Sequence, residues 1–206
     1  MTDKAKASRE KILLNEESFS YLFFEGCSPQ NPIIFFHATG LNAATYLNLL
    51  TKIFEDFDGE RSIYAFDQRG HGLSLAEADH TKLKSWKQFS KEAISFLNSL
   101  DHESVDLMGH SMGGIVASEV ASQLKLKVQN LIMLEPVLYY APKDVIKLKL
   151  KNFLKFDDLS ASNKSSSAKQ RRNNFASFEE AIEHFTGRAM FASWPQESIM
   201  NYLEGG

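Results

Sequence analysis

One serine is placed by its neighbours more narrowly than any other residue of the chain. Gly109-His110-Ser111-Met112-Gly113 follows the apolar run Val105-Asp106-Leu107-Met108 and precedes Gly114-Ile115-Val116-Ala117, which puts Ser111 on a tight turn from a buried strand into a helix. A serine hydroxyl is a poor nucleophile unless it is exposed, held rigid and offered a base, and such a turn supplies the first two conditions. With Ser111 in a strained backbone conformation, side chains two residues before and two after would collide where strand and helix converge, so both positions call for glycine. The turn also creates a donor for negative charge. Met112 opens the helix, so its N–H lacks an intrahelical acceptor and the helix dipole favours an anion beside it.

A second segment has the complementary character. Pro32-Ile33-Ile34-Phe35-Phe36 is a β-branched and aromatic run that ends in His37-Ala38-Thr39-Gly40, a buried strand entering a loop of small residues. A tetrahedral oxyanion needs two converging N–H groups, and losing one costs about 3–4 kcal/mol of barrier. Thr39 is the candidate for the second N–H. A third segment, Asp67-Gln68-Arg69-Gly70-His71-Gly72, follows the strand Ser62-Ile63-Tyr64-Ala65-Phe66.

In order and spacing these three segments resemble the α/β-hydrolase superfamily, with an HxxG oxyanion loop, a DxRGHG loop and a GHSMG nucleophile elbow. The resemblance spans residues 10–140, and 172–206 is similar to part of that family's helical cap, less specifically. It implies an α/β-hydrolase fold: a mostly parallel sheet with helices on both faces, a core over residues 1–140 and a partial cap or lid over 141–206. It implies Ser111 as nucleophile and the Met112 and Thr39 N–H groups as the oxyanion hole, with His37, Ala38 and His110 as substrate-binding residues. In the family the DxRGHG loop braces the rim of the site. Asp67 and Arg69 are therefore expected to be structural, through a carboxylate–guanidinium contact.

Periodicity gives the layout. Residues 12–25, interrupted at Asn15-Glu16-Glu17, form a leading hairpin whose second arm alternates through Phe19, Tyr21 and Phe23. Strands near 32–37, 62–66, 104–109 and 130–135 alternate with amphipathic helices near 43–56, 82–100 and 112–125, a pattern that makes a mostly parallel sheet. Ser111 then falls at the carboxyl edge of the sheet, where open α/β sheets bind ligands. Residues 143–172 carry nine Lys or Arg against three Asp, and 157–169 is serine-rich. They read as a solvated insertion or a basic lid. Helical spacing resumes at Phe178–Phe185, and Phe175, Phe185, Phe191 and Trp194 line an acyl pocket or form cap core.

Composition narrows the function. A chain of 206 residues that is 43% hydrophobic can bury one good core, and a net charge of −3 gives no reason to expect nucleic acid. The start Met1-Thr2-Asp3-Lys4-Ala5-Lys6 carries no apolar secretion signal, so the expectation is a cytoplasmic protein without membrane insertion. The single Cys27 cannot pair internally, and no Cys/His cluster has metal-ligand spacing, so neither metal nor cofactor is expected. No Gly-x-Gly-x-x-Gly or Gly-Lys-Ser/Thr loop follows a strand, which argues against a nucleotide site.

The base is the gap. The resemblance implies the chain order nucleophile, acid, histidine, and of the histidines only His184 follows Ser111, on a helix of the presumed cap. Glu135, at the end of Leu131-Ile132-Met133-Leu134, is a possible acid. The expectation is a C-terminally truncated chain, inactive as it stands, lacking two strand–helix units of about 30 residues each and leaving one sheet edge uncovered. For the full-length form the reading is a serine hydrolase of carboxylesterase or lipase type that cleaves an ester or similar acyl bond in a small molecule. The serine itself argues against epoxide hydrolase and dehalogenase chemistry, which in this fold use a carboxylate. The alternative is an inactive relative that kept the scaffold as a ligand-binding or interaction module.

Overall fold

The computed structural model describes residues 7–79, 85–137, 172 and 174–206. Six strands form one sheet: β1 (Ser8–Leu14), β2 (Glu17–Phe24), β3 (Ile33–Phe36), β4 (Ile63–Phe66), β5 (Ser104–His110) and β6 (Lys127–Leu134). Their order is β1-β2-β4-β3-β5-β6; β3 runs parallel to β4 and β5, β5 parallel to β6, and the hairpin is antiparallel. This is the expected α/β-hydrolase sheet, parallel at its centre.

β3 is central because its sequence allows nothing else. An unalternated apolar run suits a strand covered on both faces, and each of its residues is at most 4% exposed. Ile34 and Phe36 face one layer with Phe66, Leu107, Ala93, Phe96, Val116 and Val120; Ile33 and Phe35 face the other with Ala65, Met108, Ala44 and Leu50. The first layer is closed by α2 (Lys87–Ser99), whose Phe89, Ala93, Phe96 and Leu97 recur at helical spacing, and by α3 (Met112–Gln123). A 3₁₀ turn, Ala43–Tyr46, and α1 (Leu47–Asp56) close the second.

The hairpin turns at Asn15 and Glu16, with φ of 50° and 69°, the pair of positive values that matches strand twist in a two-residue turn. The expected alternation through Phe19, Tyr21 and Phe23 is broken: Phe19, Leu22 and Phe24 are buried and Tyr21 and Phe23 half-buried. Phe19 packs in one core layer and Leu22 and Phe24 in the other, so both faces of β2 are covered.

The chain divides into two compact units, Met1–Val137 with Phe185–Gly206, and Leu138–His184. Residues 185–206, assigned to a cap on sequence, thus belong with the sheet. Helix α5 (Gln196–Glu204) buries Ile199 fully, and the Asn42 amide donates to the Tyr202 carbonyl at 2.8 Å. Phe191 meets Phe185 and Trp194 at ring distances of 4.9 Å each. In the other unit, α4 (Phe178–Phe185) begins, and Phe175 packs on His184 at 5.2 Å and under the Arg172 guanidinium at 4.7 Å. Apart from Arg172, the basic insertion expected at 143–172 lies outside the described residues, as do His80 and the expected helix start at 82–84. Among the described residues no helix is long and apolar enough to cross a membrane, and no cluster of His, Cys, Asp and Glu could hold a metal ion.

Strand β6 pairs with β5 on one side only, and Leu131, Ile132 and Met133 are 38%, 42% and 38% exposed. Apolar side chains thus stand exposed on both faces of an edge strand.

Asp67 and Arg69 do not pair with each other, as the sequence suggested. The Arg9 guanidinium of β1 donates to Asp67 at 2.7 Å, while Arg69 bonds Glu17 of β2 and donates to Glu92 of α2 at 2.7 Å. Their partners come from the hairpin and a helix, so the loop is braced across the sheet. Glu92 is 3% exposed. Removing its guanidinium strands a buried carboxylate, so Arg69→Ala is expected to cost about 3–5 kcal/mol in urea unfolding.

Candidate active site

β5 ends at His110 and α3 begins at Met112, leaving Ser111 between them with φ 53° and ψ −115°. A non-glycine residue in such a conformation costs about 1–3 kcal/mol and persists only where its surroundings force it. Here its N–H donates to the Leu134 carbonyl of β6 at 2.9 Å, and its carbonyl accepts from the Gly114 N–H at 3.1 Å. The flanking glycines are sterically required. A Cβ on Gly109 would lie 2.2 Å from the Gly113 carbonyl oxygen, and one on Gly113 would lie 2.1 Å from that of Phe36. The backbones of elbow and β3 are therefore in contact, which brings the loop after β3 to the serine.

That loop and the helix start meet directly. Thr39 Oγ1 donates to Met112 Sδ at 3.1 Å. Among the described residues, neither the Thr39 nor the Met112 N–H has an acceptor within the protein. The neighbouring Ala38 N–H is occupied: it donates to the Tyr46 hydroxyl at 3.2 Å.

His37 is fully buried. Its Nε2 accepts from the Gln68 N–H at 3.0 Å, so the proton sits on Nδ1, which donates to the Ala38 carbonyl at 2.9 Å. Both nitrogens are thus spent on bracing the loop, leaving the ring none for a substrate. Burial, with the His71 ring beside it, pushes its pKa down to about 3. His71 is also held below its usual value by burial, and its Nδ1 donates to the Arg69 carbonyl at 2.9 Å.

His110 is half-buried, with Nδ1 2.7 Å from the Tyr46 hydroxyl and Nε2 4.0 Å from Glu135. Glu135 leaves β6 with a φ of 43°, its carboxylate 93% exposed. Tyr46 is 9% exposed and burial pushes its hydroxyl up to about 12, so it stays a neutral donor. A cavity of about 250 Å³ opens here, lined by Leu41, Thr45, Tyr46, His110, Trp194, Pro195 and Ser198. Of the expected acyl-pocket aromatics, Trp194 reaches it. Tyr46 carries no sequence signal beyond an aromatic in a helical stretch, because its partners lie 8 and 64 residues away.

His102 stands apart from this cluster. His102 precedes β5, whose seven residues span roughly 23 Å before Ser111, and its Nε2 lies 3.3 Å from the Tyr64 hydroxyl. His184 belongs to the second unit.

Comparison with known proteins identifies the family and the fold. The model of a family described as "Serine aminopeptidase, S33" matches residues 28–196. An abhydrolase domain-containing protein of Schizosaccharomyces pombe is 26% identical over 156 residues, covering 69% of this chain and 42% of that protein. Protein phosphatase methylesterase 1 of Saccharomyces cerevisiae is 29% identical over 119 residues, covering 50% of this chain and 30% of its own. The solved thioesterase domain from the curacin biosynthetic pathway superposes with a TM-score of 0.69 at 19% identity, covering 96% of this chain and 66% of that domain. The chain thus spans less than half of these curated relatives.

Two outcomes follow from this geometry. Gly113→Ala is expected to lower stability by about 3 kcal/mol or more in thermal unfolding, because its Cβ meets backbone that has no room to move. For His37, the unfolded ring takes up a proton as pH falls through about 6.5 while the folded ring resists it until about 3, so stability falls with acid across that window. The slope for one such group is at most about 1.4 kcal/mol per pH unit. Urea midpoints measured from pH 7 to pH 4 are expected to drop, and to drop less steeply in His37→Gln.

Proposed function

Because the chain belongs to the serine aminopeptidase S33 family of α/β hydrolases, we propose that the whole protein is a serine hydrolase that cleaves an ester or similar acyl bond through Ser111. The observation that carries this reading is the strained Ser111 backbone beside two N–H groups that have no acceptor among the described residues. A ligand-binding module gains nothing from holding a serine in that conformation.

In the proposed reaction Ser111 Oγ attacks the carbonyl carbon and gives its proton to a general base. The carbonyl π electrons move onto oxygen, and the oxyanion is held by the Met112 and Thr39 N–H groups and the positive end of α3. Collapse expels the leaving group, protonated by the same base, and leaves an acyl ester on Ser111 that water then hydrolyses. The base is a histidine in the remainder of the whole protein. The greater length of the relatives and the exposed apolar faces of β6 both support that remainder. Glu135, at the carboxyl edge of the sheet beside the elbow, is the candidate acid.

Ester and thioester chemistry is favoured by the names of similar proteins, a protein phosphatase methylesterase and a thioesterase domain among them. The cavity beside His110 suits a small uncharged acyl or alkyl group, since among the described residues no Lys or Arg lines it.

The test is labelling of the whole protein by a fluorophosphonate probe. A covalent adduct is expected on the wild type and is expected to vanish in Ser111→Ala. No Ser111-dependent adduct would overturn the hydrolase reading in favour of a binding module.

A further inference from the structure

Backbone pairing between β3 and β5 runs from Ile33 and Asp106 to Phe36 and Gly109 and stops there. Beyond that point no strand pairing among the described residues joins the oxyanion loop to the nucleophile elbow, which touch through the Gly113 and Phe36 backbones, yet a tetrahedral oxyanion needs their N–H groups at a fixed separation. Two side-chain contacts cross the gap. One is the Thr39 hydroxyl on the Met112 thioether, a weak acceptor. The other is the Tyr46 hydroxyl, which accepts the Ala38 N–H at 3.2 Å and lies 2.7 Å from His110 Nδ1. Ala38 directly precedes Thr39, and His110 directly precedes Ser111.

We propose that Tyr46 is a positioning residue whose hydroxyl ties the oxyanion loop to the nucleophile elbow and so sets the spacing of the oxyanion hole. The hydroxyl oxygen accepts the Ala38 N–H and shares a hydrogen bond with His110 Nδ1, so both neighbours of the reacting groups are tied to one atom. The ring itself is held independently by packing on Phe35 at 4.6 Å, so the hydroxyl can be removed without emptying the core.

This inference rests on Ser111 as the nucleophile, and the experiment separates the two. In the whole protein, the rate of fluorophosphonate labelling at Ser111 is compared with thermal stability for Tyr46→Phe, His110→Leu, His110→Asn and the double variant Tyr46→Phe/His110→Leu. Asparagine is the conservative control, because its amide can take the place of the imidazole Nδ1 in the hydrogen bond to the Tyr46 hydroxyl. Tyr46→Phe and His110→Leu are expected to label about ten- to a hundredfold more slowly with little change in melting temperature. His110→Asn is expected to recover labelling relative to His110→Leu, and the double variant to be no slower than the slower single one. Exchange of the Ala38 amide hydrogen is expected to speed up in Tyr46→Phe, a readout independent of any reaction. A Tyr46→Phe variant that labels at the wild-type rate, or an Ala38 amide that exchanges unchanged, would overturn the strut while leaving the nucleophile intact. Absence of labelling in the wild type would remove the functional reading and the strut with it.

Discussion

The buried carboxylate of Asp67 is the point on which the rest of the site depends. It stands at the end of β4, fully buried, and accepts from Arg9 of the hairpin, from the Ala43 N–H just past the oxyanion loop and from the Leu73 N–H of its own loop. Burial pushes the carboxyl upward, and the Arg9 charge and the two backbone donors oppose that shift. A charge this deep is tolerated only when fully partnered, so each partner is pinned in turn. The Ala43 bond places the start of the 3₁₀ turn and therefore Tyr46, whose hydroxyl meets the residues on either side of the gap. Arg69, two residues on, ties the same loop to β2 and α2. The rim of the site is thus rigid because a few buried ions leave the surrounding backbone no alternative arrangement.

Strain at Ser111 belongs to the same logic. Its conformation is unfavourable by itself, and it is maintained by a bond to β6 and by two glycines that let the backbones of β3, β5 and α3 touch. The cost is borne by close packing, which is all or nothing at this distance, since a single methyl at Gly113 would lie inside the radius of a carbonyl oxygen.

Much of this was legible in the sequence, for reasons that differ by element. The glycine spacing around Ser111 and the unalternated run of β3 are short-range consequences of backbone sterics and burial, so residues a few positions apart carry the whole signal. The position of Thr39 beside Met112 was legible only as a consequence of two strand ends sharing a sheet edge. What stayed hidden depends on partners distant along the chain. Asp67 and Arg69 carry opposite charges two residues apart and read as a pair, yet Asp67 bonds Arg9 and Arg69 bonds Glu17 and Glu92, partners that the hairpin and α2 bring from distant sequence. Residues 185–206 look like cap by position, but Ile199 and the Asn42–Tyr202 bond draw them onto the 3₁₀ turn. Tyr46 gave no sign at all, because a tyrosine in a helix reads as core until its hydroxyl is located.

The division of labour within the site follows from these contacts. An oxyanion hole assembled from backbone N–H groups is preorganised by the fold, whereas a general base is a single side chain that must be delivered to it. In serine hydrolases, removal of the base leaves a residual acceleration of about a thousandfold or more from the oxyanion hole and binding. On the proposed reading, these residues hold that preorganised half: Ser111 and two donors at the ends of β3 and β5 and the start of α3, with a cavity beside them lined by the 3₁₀ turn, His110, Trp194, Pro195 and Ser198. On that reading strand β6 is where the other half attaches. Its Leu134 carbonyl already holds the Ser111 N–H, its end carries Glu135, and among the described residues it pairs along one edge alone. A parallel strand of this composition is normally buried on both faces, so pairing along β6 would stabilise the sheet and bring new loops to the carboxyl edge beside Ser111 at the same time.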